Sequence, residues 1–62
     1  MFKKDVVRII SCIEYEDYSS AMQYAILIKD YYENEEKEFF EQIIKYVKSG
    51  SYEKIKELIK MH

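Results

Sequence analysis

Proline and tryptophan are absent from the 62 residues, and there is one glycine, one cysteine and one histidine. Each shortage excludes something. Without proline, no ring-imposed kink or stop interrupts a helix, so helix ends must be set by caps and turns. A single glycine, Gly50, rules out a glycine-rich phosphate loop. A single cysteine, Cys12, rules out an internal disulfide and fits a reduced setting. No Cys/His cluster is present to hold a metal, and the one histidine, His62, is terminal and expected to fray. Long apolar runs are also missing. Ala25–Ile28 is the longest aliphatic stretch, far short of the roughly 18 residues of a membrane span. Asp5 and Arg8 interrupt any leader-like apolar region behind the first lysines, so the expected location is cytoplasmic.

What is present is a helix-forming mixture, 48% apolar and 35% charged, with seven tyrosines. The net charge of −2 is unevenly spread. Residues 14–41 hold nine acids and two bases, a net −7, while both ends are mildly basic. That balance disfavours a phosphate-backbone binder, which needs Lys and Arg gathered on one face. A single core in a chain this short rarely supplies more than about 3–5 kcal/mol. With no disulfide or metal to add to it, self-association or a partner protein is the remaining source of stability.

Tyr18–Tyr32 is the segment the rest must accommodate. On a helical wheel Leu27, Tyr31, Tyr24, Ile28, Ala21, Tyr32 and Ala25 sweep a face about 160° wide, broader than one neighbour covers. Met22 and Ile26 fall outside that face. Before it, Phe2, Val6, Ile9, Ile10 and Ile13 form one apolar stripe, predicting a helix over 3–15. Asp17 or Ser19 can cap the next helix, over 18–33. The polar run Glu33–Glu38 is too long for a coiled-coil seam to cross, so the chain is expected to turn at Asn34, with Asn34 as N-cap. A third helix over 35–48 carries Phe39, Phe40, Ile43, Ile44 and Val47 on its apolar side. Gly50 suits a left-handed C-cap, and Ser51 can cap a last helix over 52–61 that faces inward with Tyr52, Ile55, Leu58 and Ile59. The expected fold is all-α: one domain of four short helices arranged as two stacked antiparallel hairpins, with Ile28 and Ile44 in the core.

The chain also aligns on itself at an offset of 34. Val6 falls on Phe40, Ile9-Ile10 on Ile43-Ile44, Ile13 on Val47, Tyr18 on Tyr52, and Tyr24-Ala25 on Leu58-Ile59. Helix-turn-helix units at that period are the signature of tetratricopeptide repeats, and DYSSAMQYA resembles a segment of that family. Ile9 and Ile43 stand where the family places a small residue, and its repeat-ending proline is missing. The resemblance implies protein or peptide binding without catalysis.

Sites for chemistry are few. Cys12 has no histidine to activate it and borders an apolar stripe, which reads as packing. Glu35, Glu38 and Glu41 recur along one side of the third helix, the pattern of a solvated face. No catalytic residue, cofactor or metal ligand is assigned. Tyr18 and Tyr52 read as wedges between paired helices, and Tyr24, Tyr32 and Tyr46 as core or rim. Tyr15, Met22, Ile26 and Tyr31 are the side chains hardest to bury in one monomer, and they are the interface candidates, either for a homodimer or for another protein. The expected function is that of a small non-enzymatic binder of phage or bacterial type: an inhibitor, antitoxin, immunity protein or anti-defence factor that blocks another protein. The alternative is a helix-turn-helix regulator reading DNA with residues 51–62, although that segment offers Lys54, Lys56 and Lys60 and no Arg, Asn or Gln for base edges.

Overall fold

A computed structural model describes residues 1–61, so His62 lies outside the described residues. Among the described residues the chain forms four α-helices and no strand: α1 (Phe2–Glu14), α2 (Tyr18–Ile28), α3 (Asn34–Ser49) and α4 (Tyr52–Lys60). They pack into a body of 25 × 20 × 20 Å. α2 lies against both α1 and α3, its contact with α3 is the most extensive in the molecule, and α4 packs on α3. The architecture is the all-α pair of helical hairpins, with α2 at its centre.

The core follows from amphipathic spacing. α1 buries Val6, Ile9 and Ile13, α3 buries Phe39, Phe40 and Ile43, and α4 inserts Ile55. α2 contributes Ala21, Ala25 and Ile28. The two alanines let neighbouring backbones approach closely, which is how an 11-residue helix serves as a hub. Ile28 is buried as expected, whereas Ile44 is only half-buried and Ile43 takes the central place. The Phe2 ring stands edge-on to Tyr32, Phe39 and Phe40 at 5.5, 5.9 and 5.7 Å, closing the bottom of the core with an aromatic cluster.

Two helix ends share one closure. At the end of α1 the Glu16 N–H donates to the Ile13 carbonyl and the Asp17 N–H to the Cys12 carbonyl, both at 2.9 Å. At the end of α3 the Gly50 N–H reaches the Val47 carbonyl at 3.2 Å and the Ser51 N–H the Tyr46 carbonyl at 2.8 Å. Both are Schellman closures, which need a left-handed residue just past the helix. Gly50 provides it at φ 70°, and Glu16 provides it at φ 57° despite its side chain. The tyrosines two residues later, Tyr18 and Tyr52, stack on one another with centroids 3.9 Å apart and planes 8° from parallel. The expected wedges are therefore a stacked pair joining the two hairpins.

Some boundaries differ from the sequence reading. The second helix does not run to residue 33: α2 ends at Ile28, one 3-10 turn covers Lys29–Tyr31, and Tyr32 is extended at φ −123°, ψ 164°. With the backbone extended there, the Tyr32 ring packs in the core against Phe40, 5.2 Å away. The break falls at Tyr32–Glu33, one residue before the expected turn at Asn34, and the N-cap position of α3 is Glu33, with no side-chain cap bond. Asn34 instead holds φ 56°, the left-handed region its short amide tolerates. Asp17 does cap α2, accepting from the Ser20 N–H at 3.2 Å. Ser51 occupies the N-cap position of α4, but its hydroxyl bonds the Ser49 hydroxyl at 2.8 Å and makes no cap bond.

Candidate functional site

α2 carries no charged residue along Tyr18–Ile28, in a chain that is 35% charged. Its inner side is fixed by Ala21, Ala25 and Ile28. Its outer side is therefore Ser19, Ser20, Gln23, Ile26 and Leu27, all exposed. Leu27 is 71% and Ile26 46% exposed. A solvent-facing helix side with no charge and two large aliphatic residues is unusual for a helix that only meets water. At its C-terminal end stands Tyr31, 74% exposed on the 3-10 turn, and at its N-terminal end the α1–α2 turn presents Tyr15, 84% exposed.

This places the four sequence candidates. Ile26 belongs to the uncharged face, with Tyr31 and Tyr15 at opposite ends of it. Met22 is half-buried, one turn before Ile26 at the edge of that face, and is not among the side chains packed against the core. Leu27 was expected at the inner face and is instead among the most exposed aliphatic residues. The wheel had centred the apolar face between Leu27 and Ala25, whereas the buried arc is centred on Ala21, Ala25 and Ile28. The Ala21/Ala25 pair, one turn apart, was the signal in the sequence that marks the close-packed side.

The rim is polar and held in place. Asp5, on the side of α1 facing α2, accepts hydrogen bonds from both the Tyr24 and Tyr32 hydroxyls. The Tyr24 bond first, and the Tyr32 bond second, hold the Asp5 carboxyl below its ordinary range. In return Tyr24 is raised, chiefly by its bond to Asp5, and Tyr32 is pushed up to about 12, by burial first and the Asp5 bond second. The Arg8 guanidinium lies 5.3 Å from the Tyr24 ring centroid. One carboxylate thus ties α1 to both ends of the hub's C-terminal half, which fixes the rotation of α2 and with it the face turned to solvent. At the far rim Asp30 pairs with Lys29 at 3.4 Å and with Lys37 of α3 at 3.5 Å.

The remaining features carry less. Glu33, Glu35, Glu36 and Glu38 line an open hollow at the start of α3, and all four are exposed. Met1, Lys3, Lys4, Val7, Arg8 and Ser11 line another on the outer side of α1. Among the described residues no group of three or more His, Cys, Asp or Glu stands close enough to hold a metal ion, and no helix is long and apolar enough to cross a membrane. On α4, Lys54 borders a hollow with Tyr46, whereas Lys56 and Lys60 border a different one beside Glu14 and Glu16. The three lysines therefore do not form one basic stripe. No family model, no curated protein and no solved structure matches this chain.

Proposed function

We propose that this protein is a non-enzymatic protein-binding module that acts by occupying the surface of another protein, in the manner of an inhibitor, antitoxin, immunity or anti-defence factor. The observation that carries this reading is the exposed, charge-free side of α2, with Ile26 and Leu27 in its last turn and exposed tyrosines before and after the helix. Tyrosine and aliphatic residues without charge are the composition of interface cores. Exposed acids stand in the chain on either side of α2, Glu14, Glu16 and Asp17 before it and Asp30 and Glu33 after it, so a partner with a basic border is the electrostatic complement. Nucleic-acid-binding and nuclease clefts have that border. The tetratricopeptide resemblance points to the same class of activity. The scattering of the α4 lysines supports protein binding over duplex binding.

The test pairs two measurements. Tagged protein and its Leu27→Lys variant are used side by side to capture partners from the native host. A specific partner is retained by the parent, lost by the variant, and has its own activity inhibited on titration with the parent. Random duplex DNA at low salt should not be bound. Duplex binding by the parent, or capture unaffected by Leu27→Lys, overturns the reading.

A further inference from the structure

The outer face of α2 is self-complementary about Gln23. Helical geometry puts Ser20 and Leu27 on one flank of the exposed side, Ser19 and Ile26 on the other, and Gln23 midway between them. Ser20 lies three residues before Gln23 and Leu27 four after it; Ser19 lies four before and Ile26 three after. When a second copy runs antiparallel, related by a two-fold axis beside Gln23, flank meets like flank with the order reversed. Ser20 then faces the partner's Leu27, and Ser19 faces the partner's Ile26, each offset by one residue's rise of about 1.5 Å. Small meets large at all four places, the size alternation that lets two helices approach closely. The two Gln23 amides meet on the axis, where each can donate to and accept from the other.

We infer that this protein forms a homodimer through antiparallel pairing of α2 with α2 of a second copy. Along the paired segment itself a second copy meets no electrostatic obstacle. The paired segment contains no charged residue to desolvate, and antiparallel alignment sets each helix N-terminus beside the partner's C-terminus. Antiparallel pairing sets the end of α2 that follows Tyr15 beside the end of the partner's α2 that precedes Tyr31, the two most exposed tyrosines, at 84% and 74%. The same two ends bring Asp30 and the partner's Glu16 to one side of the pair, a like charge that Lys29 and Lys37 counter at Asp30, at 3.4 and 3.5 Å. The exposed portions of Tyr15, Ile26, Leu27 and Tyr31 from two copies offer on the order of 1,000 Å², the lower bound of specific interfaces. Self-pairing covers the face that the proposed function assigns to a target, so dimer and target complex exclude one another. The pairing itself needs no other protein.

The experiment uses the purified chain alone, so its outcome is separate from that of partner capture. Sedimentation equilibrium of the unmodified protein from about 5 to 500 µM should pass from monomer to dimer mass. Leu27→Lys should raise the dissociation constant at least about tenfold, with helicity unchanged because Leu27 is 71% exposed in the monomer and outside its core. Register is read by oxidative crosslinking in a Cys12→Ser background. With interaxial distances of about 8–10 Å and a helix radius near 2.3 Å, facing Gln23→Cys residues come within disulfide reach and should crosslink. Ser20→Cys alone should not, since its two copies sit about 9 Å apart along the axis, while a mixture of Ser20→Cys and Leu27→Cys chains should. A monomeric parent throughout the range, or Ser20→Cys crosslinking as readily as Gln23→Cys, overturns the inference.

Discussion

Glu16 and Gly50 occupy the same place in two Schellman closures, and exchanging their residue types tests the turn geometry that orients the hairpins. Glu16 holds φ 57° and Gly50 holds φ 70°. A side chain in the left-handed region costs about 1–2 kcal/mol, because Cβ crowds the following carbonyl oxygen. Glu16→Gly removes that cost, and gives back about 0.4–1 kcal/mol through the greater freedom of the unfolded chain. The Glu16 side chain is exposed and makes no hydrogen bond or ion pair among the described residues, so little else is lost. The net expectation is stabilisation by about 0.5–1 kcal/mol, which for a domain this size is a rise in melting temperature of roughly 2–8 °C. Gly50→Ala reverses both effects. A Cβ built at Gly50 meets nothing within 4 Å, so any loss there is torsional and not steric, and destabilisation by a similar amount is expected. Urea and thermal unfolding followed by circular dichroism measure both variants against the parent. Opposite signs are required. A neutral or destabilising Glu16→Gly would show that the α1–α2 turn does not hold residue 16 left-handed, and would remove the basis for the orientation of α2.

Further outcomes follow from packing and titration. Ile43→Ala should cost about 2–5 kcal/mol, and Ile44→Ala clearly less, because the first is fully buried and the second half-exposed; equal losses in urea melts would refute the assigned rotation of α3. Asp5 has a lowered folded-state pKa, so it contributes stability that is present above its unfolded value near 3.9 and is lost as pH falls through the lower folded value. Asp5→Asn should therefore flatten the acid limb of the stability curve, and an unchanged limb would contradict the Tyr24–Asp5–Tyr32 arrangement. Tyr32 has a raised pKa of about 12, so its contribution is present below about 10 and lost as pH rises through 12. Ultraviolet titration should show late-ionising tyrosine that Tyr32→Phe diminishes, leaving the raised Tyr24, whereas a titration unchanged by Tyr32→Phe would count against the burial of Tyr32. A double-mutant cycle on Tyr18→Ala and Tyr52→Ala should return a coupling of about 0.5–1.5 kcal/mol; independence would mean the rings do not stack.

Three of the four helices are legible from sequence because each has a polar side that sets its phase. In α1, Lys4, Arg8 and Ser11 oppose Val6, Ile9 and Ile13; in α3 and α4, glutamates and lysines oppose Phe39, Phe40, Ile43 and Ile55. The Asp17 cap and the Gly50 closure are equally readable, since both perform local chemistry that needs no distant partner, whereas Asn34 and Ser51 make no cap bond. α2 was different. With no charge between Tyr18 and Ile28, hydrophobicity alone does not say which side faces the core, and the apolar arc read from the wheel put Leu27 inside. Its phase is decided by contacts from elsewhere in the chain: the close approach allowed by Ala21 and Ala25, and the two tyrosine hydroxyls bound to Asp5, 19 and 27 residues away in sequence. The early end of α2 is marked by no proline, glycine or cap residue in the sequence; past it the Tyr32 ring packs in the core beside Phe2 and Phe40. Local spacing determines which residues form helices. Where an apolar helix points, and so which of its side chains are left for a partner, is settled only when neighbouring helices compete to bury it.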